Sequence, residues 1–184
     1  KFIFQFFSNL KFFKFLFLRF VLQNEMKFSK GIIFLNKYIK DDIKKRFVIN
    51  SKCKLKTIEH SVDAISINIK KKRIKNKSEW NIIYPSYIDI YKNHINLIKA
   101  INNLSNKFKL KVTFLGEADL SYIYKLKKYI TENKLTKIFR FKKYINSRKD
   151  YYFFLNRFDI AIFLSNCENY PKTLIEIMNL KIPL

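Results

Sequence analysis

An α/β fold with a parallel sheet and flanking helices is predicted for the larger part of this 184-residue chain. Two observations carry the prediction. From residue 80 onward, short apolar runs of strand length alternate with amphipathic stretches of helix length, the signature of strands joined by crossover helices. The breaks also fall in the right places, with Pro85 closing one apolar run and Gly116 another. A hydrophobic content of 48% further gives the chain the apolar material of a globular protein, against wholesale disorder.

Taken in order, residues 1–22 hold nine Phe, and their only charges are Lys1, Lys11, Lys14 and Arg19. No uninterrupted apolar run is long enough to span a bilayer, and no small-residue cleavage site marks a signal peptide. Two readings stay open: a basic interfacial helix on anionic lipid, or a core helix and strand whose partner elements lie outside this chain. Gly31 to Leu35 then reads as a buried strand, with Asn36 as the N-cap of a helix from Lys37 to Arg46. Leu55 to Ile58 is a second short strand, leading into Glu59-His60-Ser61-Val62-Asp63. From Ile69 to Lys77 the chain is almost wholly basic and polar with no apolar face, the composition of a solvated linker. The expected organisation is therefore residues 1–66 as the end of one domain, 67–78 as linker and 79–184 as a second domain.

Within that second domain the expected strands are Trp80 to Tyr84, Leu110 to Leu115, Lys137 to Phe141 and Ile160 to Leu164. The expected helices are His94 to Leu104, Tyr122 to Ile130, Tyr151 to Asn156 and Thr173 to Leu180. The chain begins with Lys rather than Met and stops in mid-pattern at Ile182-Pro183-Leu184, so a fragment open at both ends is expected.

The net charge of +24 would ordinarily point to nucleic acid or anionic lipid. A compositional skew accounts for much of it. Lys (32), Ile (27), Phe (20), Asn (18) and Tyr (11) make up 108 of 184 residues, the types that A- and T-rich codons encode. The Lys residues are also spread throughout, and the aromatics form no alternating base-stacking pattern, so nucleic acid is not an expected partner. The two Gly rule out both a Walker loop and a GxGxxG turn. Cys53 and Cys167 are isolated, without metal-ligand spacing, which gives the expectation of a reduced, cytoplasmic protein with no metal site.

In parallel sheets, chemistry sits in the loops after the strands. Three such segments stand out here: Pro85 to Asn93, Gly116 to Asp119, and Ser165 to Pro171. The last feeds a helix whose first N–H groups and dipole favour an anion. Glu168 and Glu176 flank that helix start, one in the loop and one about two turns into the helix. A carboxylate pair around a phosphate-favouring helix end suits a nucleotide-sugar, whose ribose hydroxyls can donate to one of the two.

The run from Ser165 to Leu184, SNCENYPKTLIEIMNLKIPL, resembles the E-x7-E signature of glycosyltransferase group 1 (family 4, retaining, GT-B fold). Tyr84-Pro85-Ser86, Tyr91-Lys92-Asn93-His94 and Leu97-Ile98-Lys99-Ala100 resemble the same family's first C-domain strand, loop and helix. Residues 32–43 and 56–63 resemble the end of its N-terminal domain. The resemblance implies a Rossmann-like C-terminal domain preceded by a partial N-terminal domain. It also implies transfer of a sugar from a nucleoside-diphosphate-sugar to a glycan or lipid-linked acceptor, as in polysaccharide biosynthesis, with no cofactor.

Carried over by position, the resemblance assigns Glu176 to the donor ribose and Glu168 to the sugar or acceptor. Lys92 falls to the donor diphosphate, Asn169 and Tyr170 to the turn that reaches the donor sugar, and Thr173 and Leu174 to the phosphate-facing helix start. His60 and Ser86 match positions near the cleft. Departures are a missing Gly-Arg around Ser86 and Tyr87, Glu59 for a Pro, and Lys181 for a Gly. The expected location is the cytoplasm, with peripheral contact at the inner face of an anionic membrane as an added expectation. The competing class is a basic module without catalysis that binds nucleic acid or anionic membrane.

Overall fold

The computed structural model describes residues 2–60 and 78–184, with side chains from residue 12 onward. The chain divides into two units, residues 1–61 and 62–184. The expected linker lies almost wholly outside the described residues.

In the first unit, helix α1 (Phe2–Phe28) runs unbroken through the Phe-rich segment. The helix-plus-strand reading of that segment is corrected, for a physical reason. No Gly or Pro occurs before Gly31, and Phe, Leu and Lys continue a helix once it has started. Strand β1 (Gly31–Phe34) follows, and Asn36 caps α2 (Lys37–Arg46) by accepting from the Ile39 N–H, as the sequence predicts. Strand β2 (Lys54–Thr57) pairs with β1 in parallel. The Gln23 amide holds Val48 in both directions, donating to its carbonyl (2.8 Å) and accepting from its N–H (3.1 Å).

The second unit is a four-stranded, wholly parallel sheet in the order β5-β4-β3-β6, with helices on both faces. Its elements are β3 (Trp80–Pro85), α3 (His94–Leu104), β4 (Leu110–Leu115), α4 (Leu120–Glu132), β5 (Phe139–Lys142), α5 (Arg148–Leu155), β6 (Ile160–Ala161) and α6 (Lys172–Asn179). Every predicted strand and helix is present. The main difference is β6, which keeps two residues of an expected five before the chain leaves the sheet toward Ser165.

Strand alternation divides the core. Ile82, Tyr84, Val112, Phe114 and Phe139 face α3 and α4, which bring Leu97, Ile98, Ile101, Tyr122, Leu126 and Ile130. On the other face Ile83, Leu115 and Ala161 meet Tyr151, Tyr152 and Leu155 of α5 and Ile177 and Leu180 of α6.

Two helix ends show how few glycines the chain has to spend. Lys134 and Lys181 are left-handed, at φ 57 and 55. Each sits in a Schellman arrangement, where the next residue's N–H reaches back to the helix (Leu135 to Ile130, Ile182 to Ile177). Lys181 stands where the resemblance noted above has a Gly, at a position where the backbone favours one.

Candidate functional site

The strand order sets the location. Strands β3, β4 and β5 step one way across the sheet, whereas β6 returns to the other side of β3. The connections after β3 and β6 therefore separate, toward α3 on one face and α6 on the other. A crevice opens at such a reversal, outside the carboxyl ends of the two strands.

Two loops meet there. Strand β3 ends in a 3-10 turn (Ile90–Lys92) capped by the Asp89 side chain, followed by Asn93 in the left-handed conformation at φ 58. Asn tolerates that conformation better than most residues, and here its side chain also acts as a clamp. Its amide donates to the Leu164 carbonyl (2.8 Å) and to the Asn166 side chain (2.6 Å), and the Asn166 N–H donates to the Tyr91 carbonyl (3.0 Å). The clamp brings Lys92 and Glu168 together: the Lys92 ammonium donates to a Glu168 carboxylate oxygen. The two side chains are 12% and 24% exposed, so the pair is partly screened from water. The Lys92 ammonium also lies 5.0 Å from the centre of the Tyr91 ring.

The second carboxylate has a different setting. Glu176, in the second turn of α6, is buried, and the Tyr152 hydroxyl donates to its Oε1 (3.2 Å). The Arg148 guanidinium lies 4.0 Å from the same oxygen. Burial pushes the Glu176 carboxyl above its ordinary value, against the downward pull of the Tyr152 hydrogen bond and of the Lys172 and Arg148 charges. Arg148 and Tyr152 reach it from one face of α5, one turn apart, because Ser147 caps that helix and fixes its start. Pro171 precedes α6 and supplies no side-chain cap.

Two adjoining depressions lie beside the start of α6. One, of about 310 Å³, is lined by Glu176, Arg148, Lys172, Thr173 and Tyr144 among others. The other, of about 210 Å³, shares Thr173, Tyr144 and Tyr151 with it and continues to Ser86, Gly116 and Glu117. Gly116 makes this junction narrow, since a Cβ there would lie 2.1 Å from the Ser86 carbonyl oxygen.

Beneath the loops, His94 is fully buried, stacked on Tyr84 (4.6 Å between ring centres) and hydrogen-bonded through Nε2 to the Ser86 hydroxyl (3.0 Å). Burial pushes its pKa down to about 4, so the ring is neutral at ordinary pH. The Tyr84 hydroxyl donates to the Lys92 carbonyl (2.6 Å), and burial raises its own pKa to about 12. His94 and Tyr84 thus form a rigid floor under the turn that carries Lys92.

Of the residues singled out in the sequence, Lys92 and Glu168 form one group; Glu176, Thr173 and Ser86 line the connected depressions; and Asn169, Tyr170 and Leu174 lie on the β6–α6 connection or its helix start. The Leu174 N–H already donates to the Pro171 carbonyl (3.0 Å). His60 follows β2 in the first unit and is exposed, whereas every other residue of the set belongs to the second. Sequence reading passed over Arg148, Tyr152, Tyr144 and the Asn93 clamp. Ser147 before a helical run was the available signal for the first two. Asp119, at the end of the Gly116 segment, is exposed and caps α4, accepting from the Tyr122 N–H.

Among the described residues, no three His, Cys, Asp or Glu side chains cluster as metal ligands, and no helix is long and apolar enough to cross a membrane. The site offers a partly withdrawn cation, an uncapped helix start and a buried, tyrosine-held carboxylate beside a connected hollow.

The same architecture occurs in solved structures. Anabaena HepE in complex with UDP and glucose superposes with a TM-score of 0.70 at 15% identity, covering 89% of this chain and 46% of that one. A mutant of S. aureus TarM in complex with fondaparinux, alpha-GlcNAc-glycerol and UDP gives 0.69 at 20% identity, over 90% and 31%. The pneumococcal O-GlcNAc transferase GtfA in complex with UDP and GlcNAc gives 0.66 at 16% identity, over 84% and 29%. The chain thus spans less than half the length of each of these proteins. No curated protein sequence matches it. The family model of glycosyl transferases group 1 matches residues 66–184, the whole of the sheet and site described above, and the chain belongs to that family.

Proposed function

We propose that the crevice is the donor site of a retaining, family 4 glycosyltransferase that moves a hexose from a nucleoside-diphosphate-sugar to a glycan or lipid-linked acceptor. The observation that supports this is the Lys92–Glu168 pair on the loop that feeds α6, the helix whose second turn carries the Tyr152-held Glu176. HepE, TarM and GtfA were each solved with UDP, which supports a uridine diphosphate donor.

In this reading Glu176 accepts from the ribose hydroxyls, with Tyr152 and Arg148 fixing its direction. The nucleoside occupies the hollow beside Tyr144 and Tyr151, and the diphosphate lies between Thr173 and Lys92. The phosphate takes Lys92 from Glu168, which leaves that carboxylate facing the sugar, with Asn169 and Tyr170 beside it. The C1–O bond to the diphosphate breaks with its electron pair going to the phosphate oxygen. The acceptor hydroxyl bonds to C1 on the same face, and its proton goes to the departing phosphate. Lys92 and the helix start stabilise a charge that grows in the transition state, so they act on rate as well as binding. No cofactor is needed, because these cations and dipoles do the electrostatic work.

Residues 1–66 then belong to the acceptor-side domain, with His60 at its cleft edge, and 67–78 form the linker to the donor domain at 79–184. The enzyme works in the cytoplasm. The exposed aromatics of α1, Phe12, Phe13, Phe15, Phe17 and Phe20 among them, beside Lys14 and Arg19, favour added contact with the inner face of an anionic membrane.

The test is single-turnover rate beside donor affinity in the whole protein. Glu168→Gln lowers turnover more than donor affinity. Glu176→Ala weakens donor binding by about 10- to 100-fold, the worth of a charge-assisted hydrogen bond of roughly 1.5–3 kcal/mol. Equal activity of both variants and the parent protein rejects the reading.

A further inference from the structure

The sheet carries a second hollow that shares no lining residue with the crevice. It lies on the face opposite α3 and α4, where Asn81 of β3, Lys111 and Thr113 of β4, and Arg140 and Lys142 of β5 alternate with the inward-facing core residues. Phe154 and Phe158 and Arg157, from the end of α5 and the connection to β6, close its side. Its volume is about 820 Å³, within the range of small-molecule sites.

Its charge is one-sided. Four cations line it and no carboxylate does. Lys111 is paired with Glu79 at 2.9 Å, outside the lining. Arg140, Lys142 and Arg157 have no ion pair among the described residues. Two of these three share one ring: the Lys142 ammonium is 4.9 Å and the Arg157 guanidinium 5.9 Å from the centre of Phe154. The ring attracts each of them, but nothing within the hollow relieves their mutual repulsion.

Two plainer explanations cover only part of this. Charges on an edge strand discourage unwanted pairing, which accounts for Arg140 and Lys142 on β5. It does not account for Arg157 beyond α5, for Lys111 on an inner strand, or for a hollow with an aromatic wall. Lysine-rich drift does not account for arginine, of which the chain has six, two of them here. Guanidinium forks match phosphate oxygens geometrically, beyond what an ammonium point charge offers.

We propose that this hollow is a second anion site, which takes a small organic phosphate of nucleotide or sugar-phosphate size. The phosphate sits among Arg140, Lys142 and Arg157, and the body of the molecule lies against Phe154 and Phe158. The proposal is independent of the donor-site reading, because it uses none of the same residues.

The test titrates pyrophosphate into the whole protein carrying Lys92→Ala, which weakens the crevice, with and without Arg140→Gln and Arg157→Gln. The expected result is saturable binding that the double substitution weakens tenfold or more, with affinity falling steeply as sodium chloride rises. Arg140→Lys with Arg157→Lys keeps the charge but not the guanidinium forks, and recovers only part of the binding. The double Gln variant keeps its melting temperature, since relief of like-charge repulsion offsets the lost contact between Arg157 and the Phe154 ring. Pyrophosphate affinity unchanged by the double substitution overturns the proposal, as does a melting temperature that collapses and so shows the arginines to be structural. Co-sedimentation with phosphatidylglycerol vesicles that depends on the two arginines, without saturable pyrophosphate binding, also overturns it and assigns the face to a membrane.

Discussion

The two units are both rich in aromatic and aliphatic residues, yet they use them in opposite ways. In the first, Phe34 is buried while Phe12, Phe13, Phe15, Phe17 and Phe20 of α1 are each 60% exposed or more. In the second, Tyr84, Phe114, Ile83, Ile98, Leu126 and Leu155 are sealed from solvent. Composition does not separate them; spacing does. Helix α3 buries His94, Leu97, Ile98 and Ile101, a stripe of helical period, so one face buries and the other dissolves. Helix α1 carries Phe or Leu at 14 of its 27 positions without confining them to one stripe, so no single neighbour can cover it. A patterned unit can hold loops in fixed register, and the candidate site is accordingly built within the second unit.

Substitutions should separate the units sharply. The largest effect is expected from Gly116→Ala, whose Cβ would sit 2.1 Å from the Ser86 carbonyl oxygen. The loops after β3 and β4 must part, and a loss above about 4 kcal/mol is expected in chemical denaturation. Leu126→Ala, in the fully buried middle of α4, costs about 2–5 kcal/mol by the same measurement. Phe15→Ser in α1 sharpens the contrast with a change under about 0.5 kcal/mol. A similar loss for Phe15→Ser and Leu126→Ala would erase the distinction.

Acid offers an intermediate effect confined to the second unit. His94 has a folded pKa of about 4 against 6.5 for the free group, so between those values the unfolded chain binds the extra proton. Stability contributed by the neutral ring is complete above the unfolded pKa and is lost as pH falls toward 4, by up to about 3 kcal/mol. His94→Gln should flatten that part of the stability–pH curve. Glu176 has the opposite sign, since burial raises its pKa and folding favours its protonated form as pH falls. Under the proposed donor role, donor binding should weaken as Glu176 takes up its proton, and Tyr152→Phe should move that midpoint upward, since it removes a hydrogen bond that favours the carboxylate.

The smallest effects lie at the helix ends. Lys181→Gly and Lys134→Gly remove left-handed strain of roughly 1–2 kcal/mol each but loosen the unfolded chain. A net gain of about 0.5–1 kcal/mol each is expected. Denaturation midpoints check it, and a loss at both positions would contradict the account of these caps.

Much of this was legible before the structure. Alternating apolar runs are local, so β3 to α6 could be read in order, and Asn36 announced its helix. Glu168 and Glu176 were recognisable because their spacing around one loop and helix is itself a sequence feature. What stayed hidden depends on distant segments. The Asn93 clamp spans 71 residues to Leu164, and nothing near Asn93 signals it. Tyr152 and Arg148 count only because α5 packs beside α6 and brings them to a carboxylate 24 residues beyond Tyr152. The short β6 was overestimated because Ile162, Phe163 and Leu164 continue the apolar pattern after ladder pairing has ended.

The central claim is that Lys92 and Glu176 serve two ends of one ligand. The most direct measurement titrates UDP and uridine in parallel into the whole protein and its Lys92→Ala and Glu176→Ala variants. Glu176→Ala should weaken both ligands, because both carry the ribose. Lys92→Ala should weaken UDP by about tenfold or more and leave uridine unchanged, because only UDP carries the diphosphate. Unaltered UDP affinity in Lys92→Ala, or equal loss for both ligands in that variant, would contradict the account.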